Sequence, residues 1–304
     1  MSARPALYRG TRWAEDGSWS YELAHPDGTL RRLPGIGTRL AFRVTGPQRY
    51  CLGHRSFDGV RGETRPCPQA APVTAGRQCD RCRIREGWSV VHAHRGPLEA
   101  LPEQVRGYIA QPHHLYIAYF GRGIAKVGTA SAVRRHRRLY EQGALVARFI
   151  ADSPDGLHVR DLERLVSGET GLRQAVPAAT KTRVLTEPLA AWAALERELA
   201  EAADHAATAL PAGTAAAGAH WTGGARFYAT LHARGRYPTA TDFAAPTGEY
   251  ALDAVTAHGH TLACRAESGD GELVLVDDSR LIGRRIELDD TITATPEPAQ
   301  AGLF

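Results

Sequence analysis

Residues 113–166 read HHLYIAYFGRGIAKVGTASAVRRHRRLYEQGALVARFIADSPDGLHVRDLERLV. An apolar run from Leu115 to Phe120 breaks at Gly121-Arg122-Gly123 and resumes as Ile124-Ala125-Lys126-Val127-Gly128. Two short β-type runs around a glycine turn predict a hairpin. The arginine-rich segment that follows carries Val133, Leu139 and Tyr140 at spacings that place them on one side of a helix. A third apolar run spans Ala144 to Ile150. A second helix, from Leu157 to Val166, sets Leu162, Leu165 and Val166 on one face with the acid Glu163 beside them. The order is strand, strand, helix, strand, helix.

Outward from this stretch the patterns change. Residues 1–50 alternate apolar and polar positions through Trp19 to Leu23, Thr29 to Leu33 and Leu40 to Val44, with Pro26-Asp27-Gly28 and Pro34-Gly35 between them, and predict a small antiparallel β unit. Residues 88–112 read as a connector with one short helix near Glu99 to Ile109. After residue 186, which closes the central domain, an Ala/Glu-rich segment at 187–210 predicts a long helix with Leu189, Trp192, Leu195 and Leu199 on its packing side. Residues 211–288 read as a loop-rich segment and a second β unit. The aromatics Trp221, Phe227, Tyr228 and Tyr237 among Arg226, Arg234 and Arg236 suit either base stacking or a core. Cys264 reads as a small buried hydrophobe. The Pro- and Thr-rich residues 289–304 predict disorder.

Four of the five cysteines, Cys51, Cys67, Cys79 and Cys82, fall in the spacing C-x15-C-x11-C-x2-C within residues 51–87. A thiolate pair two residues apart takes two corners of a tetrahedron, and two distant thiolates take the others, which suits structural zinc. A cysteine-rich loop with little core of its own would draw folding energy from the metal. Free thiols are the plainer alternative, and His54 is a possible substitute ligand.

The chain of 304 residues carries a formal charge of +4, and only Lys126 and Lys181 among its 37 basic residues are lysines. So strong a preference for arginine reads as coding bias, and arginine count alone says little about nucleic acid. Two lysines surviving that bias, both near the central stretch, suggest positions that need a compact ammonium group, unless chance placed them. No apolar run approaches the roughly 18 residues of a membrane span, and the N-terminus lacks the form of a signal peptide. The expectation is a cytoplasmic protein.

With Tyr116 in its first strand and Lys126-Val127-Gly128 in its second, the hairpin resembles the GIY-YIG endonuclease superfamily, in the branch whose second motif reads Lys-Ile/Val-Gly. The cysteine-rich segment, the stretch Arg138-Leu139-Tyr140-Glu141-Gln142-Gly143-Ala144 and the pair Lys181-Thr182 further resemble the bacterial family DUF2797, over most of residues 40–185. The resemblance implies an α+β fold. A small α/β sandwich at 113–186, with a three-stranded antiparallel sheet and helices, would be flanked by the zinc module and the small β units. It also implies phosphodiester chemistry on nucleic acid, with DNA favoured. Glu163 would hold Mg²⁺ or Mn²⁺, Arg138 would clamp the phosphate with Arg135 as its rival, and Tyr116 would position or activate water. Lys126 replaces the family's second tyrosine, and serves as base only if its pKa falls from about 10.4 toward neutrality; otherwise it anchors phosphate. Arg135 and Lys181 are the further substrate-binding candidates. The terminal Gln300-Ala301-Gly302-Leu303-Phe304 resembles the peptide by which bacterial replication and repair proteins dock on the DNA sliding clamp.

Each assignment has a plainer counterpart. Tyr116 on a strand can be core, Glu163 can be solvated or paired with Arg160, and the arginines of residues 134–138 can form a solvated helix face. The corresponding functions are a metal-dependent nuclease, a non-catalytic nucleic-acid-binding protein on the same scaffold, or an enzyme for a small molecule.

Overall fold

The apolar run that opens the central stretch is a strand whose side chains alternate between two cores: Leu115, Ile117 and Tyr119 pack into one, and Tyr116, Ala118 and Phe120 into another. The computed structural model describes residues 4–214, 218–233, 238–241, 248–266 and 272–294. In chain order its elements begin with β1 (Arg4–Trp13), β2 (Trp19–Ala24), β3 (Leu30–Pro34) and β4 (Arg39–Tyr50), then the hairpin β5 (His54–Asp58) and β6 (Arg61–Arg65), and β7 (Pro72–Val73). The helices α1 (Asp80–Glu86), α2 (Trp88–Ala93) and α3 (Glu103–Ile109) lead into β8 (His113–Tyr119), β9 (Ala125–Ser131), α4 (Arg135–Gln142), β10 (Val146–Ser153) and α5 (His158–Thr170). There follow α6 (Ala178–Val184), α7 (Trp192–Ala207), β11 (His220–Trp221), α8 (Ala225–His232), β12 (Thr239–Thr241), β13 (Gly248–His258), β14 (Thr261–Arg265), β15 (Leu273–Asp277) and β16 (Arg284–Leu288).

The architecture is mixed α and β with antiparallel sheets. The expected order of strand, strand, helix, strand, helix appears as β8, β9, α4, β10 and α5, and β11 adds a fourth strand in the order β11-β10-β8-β9. On one face of this sheet lie α5 and α7, with Val159, Leu162 and Val166 of α5 and Leu195 and Leu199 of α7 in the shared core. On the other lies α4, which contributes Leu139 beside Tyr116 and Phe149. Leu165, expected on the packing side of α5, is 38% exposed, because burial follows the spacing of Val159, Leu162 and Val166 and leaves Leu165 on the flank. The helix starts where Asp155 Oδ1 accepts the backbone amides of Leu157 and His158, each at 2.8 Å, and stops at Gly171 in the left-handed conformation.

The two β units expected at 1–50 and 211–288 pair into a single sheet. Among the described residues it has ten strands, in the order β12-β15-β14-β13-β4-β16-β1-β2-β3, with β7 added on β4. β4 is bonded on one side by β13 and on the other by β16, so strands more than 200 residues apart in sequence lie side by side. Inside this sheet Glu22 is fully buried and receives Arg9 at 2.9 Å, Arg12 at 2.8 Å and Arg32 at 3.2 Å.

Lys181, Thr182 and Arg183 lie in α6, where Thr182 Oγ1 meets Thr261 Oγ1 of β14 at 2.7 Å. Two further expectations change. The cysteine-rich segment has regular structure, the β5–β6 hairpin and α1. The tail expected to be disordered from 289 begins with packed residues: Ile292 is buried against Ala41 and Ala251, and the Asp289 amide bonds the Ala41 carbonyl at 3.1 Å. Gln300, Leu303 and Phe304 lie outside the described residues, as do Arg234, Arg236 and Tyr237. Trp221 and Phe227 are core, and Cys264 is fully buried as expected. No described helix is long and apolar enough to cross a membrane.

Candidate functional site

Register fixes the first half of the site. In the β8–β9 ladder Tyr116 pairs with Gly128 and Ala118 pairs with Lys126, so Tyr116 and Lys126 fall on the same face of the sheet, the face covered by α4. Lys126 Nζ stands 5.8 Å from the Tyr116 ring centroid and donates to the Gln174 carbonyl at 3.3 Å. Residues 173 and 174 run beside β9, since Val127 donates its amide to the Arg173 carbonyl at 3.0 Å. The Tyr116 hydroxyl is fully buried, with no hydrogen-bond partner of normal geometry among the described residues.

Two helices supply the second half. Arg138 of α4 and Glu163 of α5 line one open cavity of about 480 Å³, together with Gln174, Thr129 and Ser131. Tyr116 and Lys126 do not reach its wall, although both feel Arg138 and Glu163 electrostatically. The two candidate arginines differ in direction. Arg135 lies over the Phe149 ring, 4.7 Å from its centroid, and takes no part in the cavity. Of the other arginines in the cluster, Arg134 and Arg137 both bond Glu141, at 2.8 Å.

Burial sets the proton affinities here. It lowers Lys126, with Arg138 adding to the effect, to about 8. Burial also lifts Tyr116 above the usual phenol range, against the pull of Arg138. Glu163 is raised above the usual carboxylate range by burial, while Lys126, Arg160 and Arg138 oppose the rise. Among the described residues no ion pair within 4 Å joins Glu163, which lines the cavity under the influence of these three cations. Lys181 donates to the Gln142 carbonyl at 2.7 Å and lies 4.7 Å from the Phe120 ring centroid. Burial and then the charges of Lys126 and Arg138 bring Lys181 down to about 7. The chain's two lysines are thus electrostatic neighbours, though Lys181 does not line the cavity.

The four cysteines converge. Their sulfurs all lie within 4.8 Å of one another, and Cys67 Sγ is 3.9 Å from Cys79 Sγ. Tetrahedral zinc with Zn–S bonds of about 2.3 Å spaces its sulfurs about 3.8 Å apart, so the group fits that ion. Cys51 Sγ accepts the Gly53 amide at 3.3 Å and the Cys79 amide at 3.1 Å, the kind of second interaction that orients a thiolate. Burial works to raise Cys67, but the amides of Ala71 and Gln69 outweigh it and hold the thiol at about 7. Gly53 permits the knuckle: at φ +84°, a Cβ there would lie 1.9 Å from the Arg65 carbonyl oxygen. His54 is not part of the group. Among the described residues this is the one cluster of three or more His, Cys, Asp or Glu placed to hold a metal, and Glu163 belongs to no such cluster.

Comparison with protein-family models, with curated proteins and with solved structures finds no match. The sequence reading passed over Gln174, Arg55, Phe57 and Trp88, all on the cavity. Arg55 and Phe57 lie between the metal cysteines and Trp88 just beyond them, where no periodicity marks a residue as facing a distant helix.

Proposed function

We propose that the chain is a metal-dependent phosphodiesterase acting on nucleic acid, with a GIY-YIG-like domain at 113–186 and a structural zinc module at 51–87. One observation carries this reading: Arg138 and Glu163, from different helices, open on a single cavity and both act on Tyr116 and Lys126. Arg138 is suited to pair with a phosphate. Glu163 is suited to be the single carboxylate ligand of Mg²⁺ or Mn²⁺, ions that fill their remaining positions with phosphate oxygen and water. Such an ion supplies charge neutralisation at the leaving oxygen. Lys126 meets the condition set for a base, since at about 8 an appreciable fraction is neutral near physiological pH. Burial keeps the proton on Tyr116, which stands behind the cavity wall and backs the site without touching its occupant. Lys181 adds positive charge behind the site.

The test is cleavage of labelled single- and double-stranded DNA and RNA with Mg²⁺ or Mn²⁺, and its loss in Glu163→Gln with binding retained. A second reading, binding without cleavage, is favoured by the position of Tyr116 and Lys126 off the cavity wall. Retained binding with no product under any metal would select it.

A further inference from the structure

The wall facing Arg138 and Glu163 has a chemistry of its own. It is built by Arg55 and Phe57 of β5 and by Trp88, which opens α2. The Phe57 and Trp88 rings are 5.8 Å apart and nearly parallel, at 22°. The Arg55 guanidinium lies 5.4 Å from the Phe57 centroid, and that of Arg160 lies 5.3 Å from the Trp88 centroid. Tyr108 backs both rings from the core, at 5.1 Å from Phe57 and 5.5 Å from Trp88. All three line the cavity, Tyr108 buried and Phe57 and Trp88 half-buried.

Rings and guanidinium planes form a stacking platform that any base satisfies, because every base has a π face. A cavity of about 480 Å³ is in the range of roughly 300 to 1,000 Å³ that takes small ligands. It is too small for a base pair within a helix and large enough for one unstacked nucleotide. Arg55, Arg134, Arg138 and Arg160 line the cavity against the two acids Glu86 and Glu163, a balance that favours an anionic occupant.

We propose that the cavity receives one unpaired nucleotide, its base against the Phe57–Trp88 wall and its phosphate toward Arg138. This rests on the phosphodiester reading for the reacting phosphate and adds the substrate class, single-stranded or locally unpaired nucleic acid. The zinc module then has a function beyond its own folding. Arg55 and Phe57 follow Cys51 by a few residues and Trp88 follows Cys82 by six, so the cysteine group holds the base-facing wall in place.

The experiment measures binding on the Glu163→Gln chain, so cleavage does not enter. A labelled single strand, the same sequence as a duplex, and a strand with abasic positions are titrated by fluorescence anisotropy. The single strand should bind at least about ten-fold more tightly than either competitor. Trp88→Leu should lose about ten-fold or more on the single strand only, and Trp88→Phe should recover most of it, as expected for stacking. Melting curves and zinc content show which variants fold. If Trp88→Leu does not, Phe57→Leu and a comparison on the unmutated wall, adenosine monophosphate against ribose 5-phosphate, decide the point. Equal affinity for the two phosphates, or for duplex and single strand, overturns the proposal. Trp88-dependent binding without cleavage by the Glu163 chain would leave the base site standing and remove the nuclease; duplex cleavage indifferent to Trp88 would do the reverse.

Discussion

Gly128 sits opposite Tyr116 in the β8–β9 ladder, and a methyl group added to Gly128 would lie 2.6 Å from the Tyr116 hydroxyl oxygen and 2.7 Å from the ring carbon that bears it. The phenol is fully buried and packed against Phe149 at 6.2 Å, so it cannot swing aside. Gly128→Ala therefore strains the floor of the site. The expected result is a loss of about 1–3 kcal/mol in denaturant unfolding. A chain in which Tyr116→Phe accompanies Gly128→Ala should regain part of it, because one of the overlapping atoms is then gone while the ring carbons at 2.7 and 3.0 Å remain. Unchanged stability of the single variant would mean that the ring has room to move.

The cysteine group predicts a metal content and a local consequence. Purified protein should carry about one zinc per chain by mass spectrometry or absorption, with four sulfur ligands. Chelation should raise amide exchange across residues 51–87, β7 included, and change the near-ultraviolet signal of Trp88, while the other strands of the large sheet stay protected, since their core is separate from that of the cysteines. Cys79→Ser should reproduce the effect. A metal-free chain with unaltered exchange in α1 would show the thiols to be simply packed.

Most of the central domain was legible because hairpin, helix and strand each carry a short-range period, and Leu115 to Phe120 alternate strictly between two cores. The metal group was legible too, because the chemistry of four thiols constrains their spacing. Pairing between distant strands was not: nothing in Leu40 to Val44 announces that Tyr250 to Leu252 will bond to it, since an alternating strand fits any complementary edge. The same blindness hid Trp88 and Arg55, whose orientation depends on how the cysteine-rich module docks. Side-chain direction separated Arg138 from Arg135, three positions apart on one helix, and direction is a tertiary property.

Acid should weaken the large sheet through Glu22. Burial acts to raise this carboxyl, yet Arg12 and Arg9 outweigh it and bring it from an ordinary 4.5 to about 2. A depressed folded pKa means the stabilisation is complete above about 4.5 and is lost as pH falls toward 2. Glu22→Gln leaves the buried Arg9 guanidinium without its counter-charge and should cost about 3–5 kcal/mol at neutral pH. It should also flatten the acid limb of the stability curve between pH 5 and 2, on the order of the window above. A variant melting with the wild-type pH dependence would mean that other carboxylates govern the acid transition.

Lys126 predicts the pH dependence of any cleavage. Its folded pKa is lowered to about 8, first by burial and then by Arg138, and only the neutral amine accepts a proton. Cleavage should therefore rise with pH, about ten-fold per unit well below that value, and level off above it. Lys126→Arg keeps the charge but cannot lose its proton in this range, and should cut by at least about a hundred-fold less while binding persists. Lys126→Met removes both charge and base. If the lysine were only an anchor for phosphate, arginine would rescue it and methionine would fail, with the pH profile flat in either active form. The order of these two variants thus separates base from anchor, since a base loses activity with both substitutions whereas an anchor loses it with one.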